Sequence, residues 1–103
     1  MAGSWIRQEK RHAIYSRDGY TCAYCGADLA GCDFADVTLD HVTARANGGH
    51  NAATNLVTCC RSCNSRKQDK SLAVFVAIVA VDTNQCPKAI SRRVNNFRRR
   101  VLR

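Results

Sequence analysis

Two Cys-x-x-Cys pairs, Cys22/Cys25 and Cys60/Cys63, enclose an Asp40-His41 dipeptide and Asn55, and Asn64 follows the last cysteine directly. Four thiolates on two short knuckles suit one structural Zn²⁺, because two intervening residues let both sulfurs of a pair turn to the same tetrahedral ion. A redox Cys-x-x-Cys would sit in a thioredoxin-like βαβ pattern, which this chain lacks. The enclosed residues have the types of a second centre. Asp40 is a hard oxygen ligand for a cation, and Asn64 offers a carbonyl oxygen that can complete a metal site. Histidine ordinarily titrates near neutrality, so His41 could take a proton from water. Phosphodiester hydrolysis needs such parts: an activated water, neutralisation of phosphate charge and help for the departing alkoxide.

These side chains must be positioned by short elements. Residues 6–17 read as a helix that Ser4 could cap and Asp18-Gly19 would end. Residues 20–26 form the first knuckle, and a loop runs over 27–35. Val37, Leu39 and His41 alternate with Thr38 and Asp40, a strand period. Residues 42–54 are a loop with Asn47-Gly48-Gly49 as its turn signal. Residues 55–59 read as a second strand and 61–70 as a helix. The order is strand, long loop, strand, helix.

Neighbours on a regular strand point to opposite faces, so Asp40 and His41 can share a site only if the strand ends or bends there. Cys63 and Asn64 point about 100° apart on a helix, so one can face zinc while the other faces a second ion. Lys67, three residues on, falls on the side of Asn64, where it could hold a phosphate. Arg45 could contact a phosphate from the loop. The apolar run 72–81 mixes β-branched residues with alanines and favours a helix capped by Asp69 or Ser71. A linker over 82–85 precedes a last helix with Pro87 in its first turn. That helix would carry Ile90, Val94, Phe97 and Val101 on one stripe, with Arg92, Arg99 and Arg103 roughly opposite.

A length of 103 residues fits one domain with a thin core that a metal would help to hold. The formal charge is +8. Its location is telling, because residues 83–103 hold Lys88, Arg92, Arg93, Arg98, Arg99, Arg100 and Arg103 and no acid, leaving the first 82 nearly balanced. Such a tail suits a polyanion, most commonly nucleic acid. No apolar run is long enough for a membrane span, and the start lacks a signal-peptide core. Seven cysteines are an odd number, which argues against a fully paired disulfide framework and for metal-bound thiolates in the reducing cytoplasm. The spare cysteines, Cys32, Cys59 and Cys86, read as buried small apolar residues.

The runs Tyr15-Ser16-Arg17-Asp18-Gly19-Tyr20-Thr21-Cys22, Leu39-Asp40-His41-Val42, Asn47-Gly48-Gly49, Asn55-Leu56-Val57 and Cys60-Arg61-Ser62-Cys63-Asn64-Ser65-Arg66-Lys67 resemble the HNH endonucleases across residues 7–70. The resemblance implies an α+β fold, a small zinc-stabilised ββα-metal (His-Me finger) unit with flanking helices. It implies His41 as general base, Asp40 and Asn64 as ligands of a catalytic divalent ion, and Asn55 as the residue that braces the loop and orients the base. The last family position is often histidine. Asn64 puts a harder oxygen there, which favours Mg²⁺ or Mn²⁺ over zinc and weakens affinity.

The implied organisation is a nuclease domain over 1–82, with 83–103 as a basic helix that belongs to the same compact unit or forms a DNA-binding arm. Arg92, Arg93, Arg99 and Arg100, together with Arg45 and Lys67, are its candidate DNA contacts, and the assembly is a monomer or homodimer. The competing readings are a zinc-stapled DNA-binding module without turnover and a nuclease-like subunit of a phage or mobile-element machine.

Overall fold

The computed structural model describes residues 6–102; the cap expected of Ser4, and Arg103, lie outside them. Helix α1 (Gln8–Arg17) begins at Arg7, which makes no side-chain cap bond, and closes on Asp18, with Gly19 in the left-handed region at φ 62°. Strands β1 (Val37–His41) and β2 (Leu56–Cys60) form an antiparallel hairpin with Val37 opposite Cys60 and His41 opposite Leu56. Helix α2 (Arg61–Lys67) starts without a connecting loop, because Cys60 is its N-cap and the Cys60 Sγ accepts from the Cys63 N–H at 3.4 Å. It lies across both strands. This is the strand–loop–strand–helix order read from periodicity, with β2 and α2 each ending within a few residues of the expected bounds.

The run after α2 is helical. Ser71 Oγ accepts from the Val74 N–H and starts α3 (Leu72–Thr83), so the linker expected from residue 82 begins later. Phe75, Val76, Val79 and Ala80 are buried, whereas Val74 and Val81 face outward. Helix α4 (Pro87–Arg99) buries Ile90, Val94 and Phe97 against α3 and β2. Val101 does not extend that stripe: it lies beyond the helix end and is 83% exposed.

A polar clamp joins α1 to the hairpin. Buried Asp18 accepts from the Thr58 N–H at 2.8 Å and from Arg17 Nε at 2.7 Å. The same guanidinium reaches the Ala53 and Leu56 carbonyls at 2.9 and 2.6 Å. A buried carboxylate is tolerated when paired and hydrogen-bonded in this way. Two of the spare cysteines correct the expectation above. Cys59 is buried, but Cys32 and Cys86 are exposed, because the loop over 27–35 and the α3–α4 junction run over the surface.

Candidate metal centre and active-site cleft

The first knuckle, the end of β2 and the first turn of α2 bring Cys22, Cys25, Cys60 and Cys63 together. Their sulfurs all lie within 4.8 Å of one another, and Cys25 and Cys60 are 3.9 Å apart. A tetrahedral Zn²⁺ with bonds of about 2.3 Å needs sulfurs about 3.8 Å apart, so the donor set fits the ion. Without a cation the sulfurs compete for protons. The neighbouring thiols, Cys25 first, favour the Cys22 thiolate, which then pushes the Cys60 and Cys63 thiols up. A divalent ion removes that conflict by deprotonating all four.

Strand β1 ends at His41, and the chain turns there. The turn lets adjacent residues serve one cleft of about 470 Å³, lined by Asp40, His41, Arg45, Asn64 and Gln68 among others. Asn64 donates from Nδ2 to Thr38 Oγ1 at 2.9 Å and to the Leu39 carbonyl at 3.1 Å. A carbonyl only accepts, so this bond fixes which end of the amide is nitrogen and leaves Oδ1 as the atom to serve a cation. Asp40 is 5% exposed; its Oδ2 accepts from the Tyr24 hydroxyl at 2.5 Å and pairs with Lys67 Nζ at 3.1 Å. Burial pushes the Asp40 carboxyl up, while Lys67 and Tyr24 pull against that shift. Burial, reinforced by the Asp40 charge, also pushes the Tyr24 hydroxyl up, so the phenol stays a donor.

Lys67 corrects an expectation. It is fully buried and cannot reach a phosphate. Its ammonium instead donates to the His41 carbonyl at 2.9 Å and the Val42 carbonyl at 3.2 Å, besides facing Asp40. The helical side was read rightly, but the lysine points into the strand end rather than out of the cleft.

His41 Nε2 lies 2.8 Å from Asn51 Oδ1. The amide oxygen accepts, so Nε2 carries the hydrogen and the lone pair of the neutral ring falls on Nδ1. Asn51 and Tyr24 were not singled out from sequence. Asn51 is one polar residue in a polar loop, and Tyr24 is one of the two residues between the knuckle cysteines, so neither carries a periodic signal. Asn55 is buried just before β2. It ties the loop: Oδ1 accepts from the Thr43 N–H at 2.9 Å, and Nδ2 donates to the Thr43 and His50 carbonyls at 3.0 and 2.9 Å. His50 Nδ1 accepts from the Ala52 N–H within the same loop.

The loop closes where Gly49 meets Thr43. A Cβ on Gly49 would lie 1.7 Å from the Thr43 carbonyl oxygen and 2.9 Å from Asn55 Nδ2. Gly49→Ala should therefore force the loop open, lower stability by ~1–3 kcal/mol and displace Asn51 from His41. A denaturant melt combined with a cleavage assay checks this; an alanine variant with wild-type values for both would remove the close approach from the account.

The basic tail is divided by the fold. Arg93 is half-buried: Nε donates to the Ala23 carbonyl at 2.9 Å, and Nη2 to the Tyr24 carbonyl at 2.7 Å and Gln85 Oε1 at 3.1 Å. It braces the first knuckle, a role the sequence did not suggest beside its expected one as a DNA contact. Arg100 is exposed but already donates to the Arg17 carbonyl and lies 5.0 Å over the Phe97 ring. Arg92 and Arg99 are exposed and line an α3–α4 groove of about 540 Å³ together with Lys88, Asn95 and Asn96, with no acid in its lining. Among the described residues, no helix is long and apolar enough to cross a membrane.

Comparison with known proteins bears on this geometry. A family model described as HNH endonuclease matches residues 22–77. Among solved structures, the crystal structure of the Type II-C Cas9 enzyme from Actinomyces naeslundii is similar, with a TM-score of 0.57 and 23% identity. The likeness covers 90% of this chain and 13% of that one. At this identity it speaks for the fold alone. No curated protein matches the chain.

Proposed function

Because the chain belongs to the HNH endonuclease family, we propose that it is a metal-dependent endonuclease that hydrolyses DNA phosphodiester bonds, with His41 as general base. The observation that carries this reading is the convergence of Asp40, His41 and Asn64 on one cleft. Asp40 and Asn64 would hold Mg²⁺ or Mn²⁺, which supplies charge neutralisation to the phosphate and the leaving oxygen when bound. A site with one carboxylate and one amide suits an ion that takes its remaining oxygens from water and substrate.

The chain's own residues do the rest. His41, its ring held by Asn51, takes the proton of the attacking water at Nδ1. Arg45 meets the phosphate from the loop side of the cleft. Zn²⁺ on Cys22, Cys25, Cys60 and Cys63 is structural and keeps the hairpin and α2 in register. Arg92 and Arg99 hold the DNA backbone along the α3–α4 groove and read no sequence.

Supercoiled plasmid incubated with the purified protein tests the reading. Nicking or linearisation by the zinc-loaded protein when Mg²⁺ or Mn²⁺ is added, and none when neither is added, is the expected result. Retardation on a gel without cleavage at every metal tried would favour a DNA-binding module instead. That second reading draws on the Lys67–Asp40 pair, which competes with any cation for the carboxylate. The chain also spans a small part of the larger enzyme it resembles in fold, which keeps open a role as a nuclease unit within a larger machine.

The groove makes its own prediction. The Arg92→Glu/Arg99→Glu variant should weaken DNA binding without loss of fold, and flatten the plot of log affinity against log salt by about 1.8, since each lost phosphate contact removes about 0.9 from the slope. Affinity titrations at several salt concentrations check it, and an unchanged slope would return these arginines to the solvated surface.

A further inference from the structure

The least expected feature of the cleft is a lysine behind it that never meets solvent. Lys67 Nζ faces three acceptors: Asp40 Oδ2, the His41 carbonyl and the Val42 carbonyl. Satisfying three acceptors takes three N–H groups, which the ammonium has and the neutral amine lacks. A buried ammonium is tolerated only when paired, and Asp40 is the anion that pairs it. The Tyr24 hydroxyl sits on the same oxygen, Oδ2. Oδ1 is therefore the carboxylate atom left for a ligand. Apart from Asp40, His41 and Arg45, the residues that line the cleft carry no ionisable group.

A divalent ion that approaches Oδ1 thus meets a carboxylate whose charge is already answered by Lys67 behind it, with the exposed Arg45 on the same cleft lining. The carboxylate is thus neutralised before the ion arrives, and repulsion between the ion and a buried ammonium is screened far less than in water. A phosphodiester in the cleft offsets that repulsion, because it brings the anionic oxygens the protein withholds.

We propose that Lys67 is a built-in counter-ion to Asp40, so that the free protein holds the cleft cation weakly and DNA and cation bind cooperatively. Lys67 acts as a positioning residue in two ways. It presents one chosen oxygen of Asp40, and through the His41 and Val42 carbonyls it fixes the strand end from which the base projects. The inference rests on the reading of Asp40 as a cation ligand. Coupling of this kind is reciprocal: DNA raises cation affinity by the factor by which the cation raises DNA affinity.

The test is Mn²⁺ binding to the zinc-loaded full chain, followed by electron paramagnetic resonance of the free ion, with and without duplex DNA in an uncleaving His41→Ala background. DNA is expected to raise Mn²⁺ affinity by roughly tenfold or more, within the usual range of coupling factors. Lys67→Met should tighten Mn²⁺ binding to the DNA-free protein and shrink the gain from DNA, while Lys67→Arg, which keeps the charge, should stay weak. A purely structural lysine would give the opposite sign, because loosening the strand end can only weaken the site. Weaker or unchanged Mn²⁺ affinity in a folded Lys67→Met protein overturns the inference. If that variant does not fold, the unaltered lysine decides: equal Mn²⁺ affinity with and without DNA overturns it equally. Asp40→Asn separates the premise, since Mn²⁺ binding that survives this change refutes Asp40 as the ligand, whatever Lys67 does.

Discussion

Replacing His41 with alanine should slow DNA cleavage by ~10²–10⁴-fold, the usual loss when a general base is removed, while zinc content and the unfolding midpoint stay near wild type. The separation is expected because the fold uses His41 through its main chain. Lys67 donates to the His41 carbonyl, which alanine keeps, and the hairpin bonds opposite Leu56 are also backbone bonds. The half-buried imidazole contributes its bond to Asn51 Oδ1, an interaction that orients the ring and carries little of the core. Asn51→Ala should show a smaller loss with the same sign, because the ring remains but its tautomer and direction are no longer fixed. Single-turnover rates at saturating metal, measured beside zinc content, check both. A His41→Ala enzyme that cuts at the wild-type rate would remove the imidazole from the chemistry.

Loss of one thiolate should act on the whole molecule. Cys60 is both the last residue of β2 and the N-cap of α2, and its partners come from the first knuckle and from α2 itself. One ion held by these four sulfurs would therefore join three segments around a two-stranded sheet. An isolated hairpin of this kind is marginal in water. Structural zinc contributes apparent binding energies of ~10–16 kcal/mol in small domains, as much as or more than the ~5–15 kcal/mol that holds an average domain folded. Cys60→Ser, or a strong chelator acting on the wild type, is expected to release zinc, abolish the cooperative unfolding transition and end cleavage together. Circular dichroism melts with a metal assay test this. A Cys22→Ser/Cys60→Ser protein that retains a full equivalent of zinc would overturn the assignment of the four ligands.

The bracing of the first knuckle shows why tail and zinc site cannot be treated apart. Arg93, on α4, donates to the carbonyls of Ala23 and Tyr24 and packs against Gly26. A basic helix that looks like a detachable arm in composition is therefore tied to the knuckle by hydrogen bonds as well as by Ile90, Val94 and Phe97.

What the sequence determined by itself was what depends on residue type and spacing. The two knuckles specify a thiolate site because two intervening residues leave few other ways to turn both sulfurs inward. The period over Val37–His41 specifies a strand, and the loop after it permits Asp40 and His41 to share a cleft. The stripe of Ile90, Val94 and Phe97 fixes which face of α4 is buried. Only the tertiary structure decided where long side chains end. Lys67 and Arg93 are flexible cations whose position in sequence allows either solvent or a buried set of carbonyls. The choice fell to acceptors distant in the chain: Asp40, His41 and Val42 for one, Ala23 and Tyr24 for the other. The same holds for Asn51 and Tyr24, whose partners lie 10 and 16 residues away. A hydrogen bond between residues remote in sequence leaves no periodic trace, so its partners appear only once the chain has folded.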